Sequence, residues 1–282
     1  MSKAILIVIF QLSLIFNMAI TAQDEAKKLD AKVKEAVTYL QLNEEPTGMF
    51  LYGNELYLAI RDERNISKID LTAETPVLEK VVDNLDTPIG LAIKDDILYF
   101  ASYTENIIYS VDLKDKVKKP KAFLTDIEGP ANIFIDGDNF YFIQQPINKI
   151  SLTKLNSKPS ITDIAKDYDF LKPTSIIKHK NYLYFIETYG SKVSRLDLEK
   201  PNAKVEVYLE GLKGPYLGSK YRDTLYIAEL YGNQIVEVDL GSKSPKAKTL
   251  VEGLQGPFGV VRKDSALYIM EHFGKKILKF EL

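Results

Sequence analysis

Residues 172–198 read KPTSIIKHKNYLYFIETYGSKVSRLDL, one copy of a unit that the chain repeats six times. The unit holds a proline, a short apolar run, a Leu-Tyr pair, a polar turn and a second run ending in Asp-Leu. Its proline recurs at Pro46, Pro88, Pro130, Pro173, Pro215 and Pro257, in steps of 42, 42, 43, 42 and 42 residues. Tyr57, Tyr99, Tyr141, Tyr184, Tyr226 and Tyr268 keep the same steps. A fixed period of this size marks an array or a propeller. The apolar runs are short, β-branched or aromatic, and separated by Pro, Gly or charged turns, which argues for strands and against helical repeats.

Unit two shows the reading in detail. Thr87-Pro88-Ile89-Gly90 is a turn, residues 91–93 a short strand, and Lys94-Asp95-Asp96 a hairpin turn. Residues 97–101 (ILYFA) and 107–113 (IIYSVDL) are the next two strands, and residues 121–126 supply a fourth before the next Gly-Pro. Four antiparallel strands per unit is the size of one propeller blade. Asp70, Asp112, Asp197 and Asp239 end the third strand, with Lys154 and Glu281 at the equivalent places. Unit three (129–172) diverges most, with Gln144-Gln145-Pro146 in its turn and a Ser/Lys-rich outer loop. The expected fold is all-β: a six-bladed β-propeller occupying residues 34–282.

Unit six stops at Leu282, after its third strand. Residues 35–45 (EAVTYLQLNEE) precede Pro46 as 246–256 (KAKTLVEGLQG) precede Pro257. The N-terminal strand is therefore expected to complete the last blade, which removes an exposed sheet edge.

Upstream, residues 1–22 place Lys3 before an apolar core (4–16), with Ala22 before Gln23. This is the layout of a cleaved signal peptide, the rival being a retained N-terminal anchor. Residues 23–33 are a charged lead-in. The expected location is secreted or periplasmic, with no membrane span after cleavage. The 37 basic and 39 acidic residues nearly balance and form no basic block, so nucleic acid is not an expected partner. Without Cys there are no disulfides, thiolate metal sites or cysteine nucleophile. The sequence contains no phosphate-cradling Gly-rich loop, G-x-S-x-G elbow or H-E-x-x-H. Asn65-Ile66-Ser67 is a glycosylation sequon, meaningful only in a eukaryotic secretory host.

LYFIETYGSKVSRLDL (183–198), LYIAELYGNQIVEVDL (225–240) and LYIMEHFGKKILKFEL (267–282) resemble the repeats of six-bladed, TolB-like propellers. They look like the YWTD, NHL, SMP-30/gluconolactonase-like and virginiamycin B lyase-like groups, and GPANIFI, GPYLGSK and GPFGVVR look like the start of an NHL repeat. The resemblance spans 34–282. It implies fold and leaves activity open, because such folds host lactonases, lyases, receptor modules and scaffolds.

It also implies a ligand face, built from the turns before each first strand and after each second strand. Arg61, Ser102, Gln144, Glu187, Glu229 and Glu271 follow the second strands, with Tyr103, Tyr189, Tyr231, His272 and Phe273 just beyond. Thr47, Asn132, Thr174, Ser175, Tyr216 and Phe258 come from the preceding turns. Glu187, Glu229 and Glu271 could converge on Ca²⁺ or another divalent cation, or raise one another's pKa as acid and base. Alternatively they tie strands together by bonds to backbone. Glu271 and His272 are the catalytic candidates, His272 as a proton carrier or as a plain loop histidine; His179, in a Lys-His-Lys turn, is expected to be solvated. The aromatics suggest a rim for a sugar, lactone or peptide, or wedges between blades. The resulting expectation is a monomeric, exported binding or interaction module taking a small molecule, sugar, protein or peptide at the channel mouth. The alternative is a metal-dependent hydrolase or lyase.

Overall fold

A computed structural model describes residues 35–282. The proposed leader and lead-in lie outside them. Twenty-four strands form six separate four-stranded antiparallel sheets, and the described residues contain no helix. In blade four the strands are Pro173–His179, Tyr182–Glu187, Lys192–Asp197 and Glu206–Glu210. The same order recurs from Pro46, Pro88, Pro130, Pro215 and Pro257. Third strands end at Asp70, Asp112, Lys154, Asp197, Asp239 and Glu281, as the repeat frame requires.

First strands are longer than their apolar runs: Pro88–Lys94 starts at the turn proline itself. Proline is tolerated there because it is a strand's first residue, where no ladder donor is needed. Each first strand carries a register shift just after its proline, as between Pro173 and Ser175. Such a bulge bends the strand where it enters the crowded centre.

Closure is as the termini suggest. The N-terminal strand Val37–Gln41 pairs with Lys276–Glu281, placing Val37 opposite Lys279 and Gln41 opposite Lys276. Gln41 Nε2 and the Leu42 amide both donate to the Lys275 carbonyl at 2.8 Å. Tyr39 packs edge-on against Tyr268, ring centres 5.1 Å apart.

The core is distributed between blades. Each apolar cluster joins neighbouring sheets; one combines Tyr184, Ile186 and Val193 of blade four with Leu225, Ile227 and Val238 of blade five. The repeat tyrosines are buried in five blades, and Tyr99 of blade two is partly covered. Near the axis, backbones approach so closely that side chains are excluded. A Cβ on Gly90 would lie 2.4 Å from the Ala131 carbonyl oxygen.

Candidate functional site

Every blade's first strand begins on one face of the ring, here called the proline face. The strand runs through to the hairpin face, where it turns into the second strand. Register decides which residues are equivalent. Pro88, Pro130, Pro173, Pro215 and Pro257 pair with Ser102, Gln144, Glu187, Glu229 and Glu271. Pro46 pairs with Ile60, fully buried, so the sixth member of the series is Ile60 and Arg61 lies one residue beyond.

The three carboxylates do not converge. Each is buried and turned into its own blade. Glu187 accepts from the Leu171 amide (2.8 Å), the Tyr168 hydroxyl (2.9 Å) and the Ser194 hydroxyl. Glu229 accepts from the Lys213 amide at 2.9 Å and from Gln234 Nε2, and Glu271 from the Gln255 amide at 2.7 Å. The amide lies two residues before the repeat proline in every case. The acid thus clamps the turn entering its own first strand, satisfying a donor that would otherwise be buried unpaired. In blade four the oxygen that takes the Leu171 amide also faces Lys192 at 3.8 Å, and in blade six the oxygen left free by the Gln255 amide lies 3.3 Å from Lys276, not aligned as a hydrogen bond.

Ser102 fills the same slot with opposite polarity, donating to the Asp86 carbonyl at 2.7 Å. In Gln144 the amide instead donates to Ser151. This donor set does not fit a divalent cation, which needs several oxygens directed at one point. Among the described residues no group of three or more His, Asp or Glu side chains could hold a metal.

Each acid starts an E-x-[Tyr/Phe]-Gly motif, and the structure accounts for all three fixed positions. Glycine avoids a Cβ that would lie 2.3 Å from Glu271 Oε2 at Gly274, 2.9 Å from Glu229 Oε2 at Gly232 and 2.9 Å from Lys192 Cε at Gly190. The aromatic ring lies over the residue before the proline: a Cβ on Gly214 would sit 2.2 Å from the Tyr231 ring, and one on Gly256 2.3 Å from Phe273. Both glycines have positive φ, at +62° and +61°. In blade four Lys172 takes that place, its Nζ 4.5 Å from the Tyr189 ring centre. So seated, Tyr189, Tyr231 and Phe273 are 66%, 64% and 63% exposed. They form an aromatic arc on three consecutive blades. Tyr103 is half-buried on the opposite half of the face, where Gln145-Pro146 and Arg61-Asp62 replace the motif.

The channel mouth on this face is closed. Tyr216 stacks on Phe258 (3.7 Å) and Phe258 on His272 (4.6 Å). Burial pushes the Tyr216 phenol up to about 12, against the lowering effect of a bond with Gln145. Beneath the stack only about 10 Å³ remains, bordered by Thr47, Gly90, Thr174 and Tyr216.

Thr47 and Thr174 are ties between blades. Their hydroxyls donate to the Pro88 and Tyr216 carbonyls at 3.0 and 2.9 Å. Thr188 does the same to the Pro215 carbonyl at 2.7 Å. His272, at the position equivalent to Thr188, has Nδ1 3.0 Å from the Pro46 carbonyl and Nε2 3.1 Å from Glu45. It is the corresponding tie between blade six and blade one.

Asn132 and Ser175 do not belong to the proline-face surface. Both line a second cavity deeper in the channel, and Asn132 also borders the small space beneath the stack. His179 is buried rather than solvated: it ends the first strand of blade four, and its Nε2 sits 3.3 Å from Asp223 without hydrogen-bond alignment. The sequon Asn65 is also fully buried and donates to Glu63, so its amide is not presented for glycosylation.

No family model matches this sequence, and the search of curated proteins gives no match. Solved structures do match. Virginiamycin B lyase from Staphylococcus aureus superposes with a TM-score of 0.66 at 16% identity, covering 86% of this chain and 98% of that one. A chain of a nidogen/laminin complex gives 0.66 at 18% identity, over 78% and 86%. A streptogramin B lyase gives 0.63 at 14%, over 88% and 97%. At these identities the likeness is one of fold, and proteins so related include both enzymes and a member of a protein–protein complex.

Proposed function

We propose that this chain is an exported binding module whose proline face docks a protein or peptide. The observation that carries this reading is the arc of Tyr189, Tyr231 and Phe273. Three large aromatic side chains remain mostly in water on successive blades, each fixed against a turn glycine or Lys172. Rigid, exposed aromatics are the residues interfaces favour, because they bury much area with little loss of rotamer freedom. The closed mouth favours a partner spread across the face over a small molecule inserted into it. A secreted or periplasmic setting rests on the leader pattern of residues 1–22.

The test is selection from a displayed peptide library on the wild-type protein, followed by binding of the enriched peptides to a Y189S/Y231S/F273S variant. These side chains are exposed, so the variant should keep its melting temperature and lose at least about tenfold in affinity, since truncating each anchor costs on the order of 1 kcal/mol or more. Equal binding by the variant would refute the reading.

A lyase reading draws on the two lyase neighbours and on the His272–Glu45 pair. Both ring nitrogens of His272 already face oxygen acceptors in a tie between blades, which weighs against a free general base. Quinupristin, the compound crystallised with a catalytically inactive variant of virginiamycin B lyase, is the direct probe. Its consumption by this protein, abolished in His272→Ala, would establish the lyase reading; its persistence leaves binding as the function.

A further inference from the structure

The channel opens at its other end. Beyond the constriction, the second halves of the six first strands enclose a cavity of about 330 Å³ toward the hairpin face. That is the lower end of the range of small-molecule sites, roughly 300–1,000 Å³. At ~30 Å³ per water-sized group it holds about ten non-hydrogen atoms. Its walls are mostly aliphatic, with Met49, Leu91, Ile133 and Val260 among them.

One position breaks the apolar wall. Five residues after the repeat proline stand Leu51, Ile93 and Ile135 in blades one to three, and Lys178, Lys220 and Arg262 in blades four to six. All three cations line the cavity. Lys178 is paired with Asp136 at 2.5 Å. Arg262 is held by the Tyr226 hydroxyl (2.7 Å) and the Asp264 carbonyl (2.9 Å), and Lys220 only by the Arg222 carbonyl (3.4 Å). Among the described residues neither Arg262 nor Lys220 has a carboxylate partner. Two cations without counter-charge, at the rim of a concave apolar site, produce a positive potential that collects anions. Ser219, also in the lining, has a buried hydroxyl with no partner. The first strands also turn their unpaired backbone edges toward the axis, so further donors face the space.

We propose that this cavity binds a small amphipathic carboxylate, its apolar body between the first strands and its carboxylate at Lys220 and Arg262. The site is independent of the proline face: the constriction at Thr47, Gly90 and Tyr216 separates the two.

The test uses calorimetry with octanoate, which has about ten non-hydrogen atoms, against octanol (chain without charge) and inorganic phosphate (charge without chain). Methyl NMR locates the binding. Octanoate should bind and shift methyls of Leu51, Leu91 and Val260. Octanol and phosphate should each bind at least about tenfold more weakly, since a charge-assisted bond is worth ~1.5–3 kcal/mol. Lys220→Glu should lower octanoate affinity by at least the same factor without changing the fold, because that side chain is exposed. Arg262→Gln should weaken binding as a second, independent variant. Failure of octanoate to bind overturns the proposal. So does equal binding of octanol, an unchanged Kd in both variants, or methyl shifts confined to the proline face.

Discussion

Truncation of the chain at Pro46 should remove the ring's latch. The comparison is between chains beginning at Glu35 and at Pro46, so that only residues 35–45 differ. These contribute the four paired residues against Lys276–Lys279, two bonds to the Lys275 carbonyl, the buried Leu42 and the Tyr39–Tyr268 contact. They also carry Glu45, partner of His272, and Glu44, 2.9 Å from Lys275. Truncating a buried Leu costs about 2–5 kcal/mol, an aromatic pair adds about 0.5–1.5, and each hydrogen bond about 1. The loss is therefore on the order of 5–8 kcal/mol, comparable to the whole stability of many domains. At about 2–4 °C per kcal/mol for a chain of this size, thermal unfolding should move down by roughly 10–30 °C. Leu42→Ala alone should lower it by ~4–20 °C on the same scale. The exposed edge of Lys276–Glu281 should also promote self-association, visible by light scattering. Circular dichroism melts of both chains, with a synthetic 35–45 peptide added back, provide the assay. An unchanged melting temperature in the shorter chain would refute closure as a source of stability.

Three further outcomes follow from the clamps and the buried histidine. Glu187→Ala should cost about 2–4 kcal/mol in urea unfolding, because the Leu171 amide and the Tyr168 and Ser194 hydroxyls lose their acceptor; the same melts with and without Ca²⁺ should coincide for wild type, and a calcium-dependent rise would contradict the clamp assignment. Gly214→Ala should destabilise by ~1–3 kcal/mol, since φ is +62° and the new Cβ meets the Tyr231 ring; a neutral result would mean the turn relaxes freely. Burial, helped by Lys180 and Lys220 and opposed by Asp223 and Asp239, lowers the pKa of His179 from its usual 6.5. The unfolded chain then binds this proton more readily, so the stabilising contribution is complete above about pH 6.5 and lost as pH falls through the folded value. His179→Gln should flatten the decline of stability between about pH 7 and 5, and an unaltered slope would remove His179 as its source.

The frame was legible because it is repeated. Proline, tyrosine and the third-strand terminus recur at one period, and each occurrence corroborates the rest. Repetition also misleads. Glu187, Glu229 and Glu271 look like a ligand set when aligned by eye, yet a residue present in several blades because each must hold its own entry turn points into that blade and not at the axis. The sign was in the sequence: an invariant glycine three residues after each acid, which Gly274 explains by its proximity to the Glu271 carboxylate. Register was less legible. Arg61 follows its second strand and looks equivalent to the acids, whereas counting from Pro46 gives Ile60. His179 looked solvated between two lysines, and only the neighbouring blade, which no local pattern reveals, buries it.

Departures from the repeat carry the functional information. In blades one to three the residue five positions after the proline is aliphatic, and Leu51, Ile93 and Ile135 pack into the clusters between sheets. Replacing that residue by Lys178, Lys220 and Arg262 in three adjacent blades gives up apolar burial, at most on the order of 1.5–3 kcal/mol and least at the exposed Lys220. Lys178 recovers part through Asp136 and Arg262 part through Tyr226. Lys220 recovers little, with one long bond to a carbonyl. The reverse substitution measures this: Lys220→Leu restores the apolar residue of the other half-ring and should raise stability by about 0.5 kcal/mol while lowering octanoate affinity by less than the charge reversal Lys220→Glu does. A gain in stability with loss of binding would show the lysine to be held there for its charge. A loss of stability would instead make it part of the frame, and the basic arc would then be a packing solution like the clamped acids.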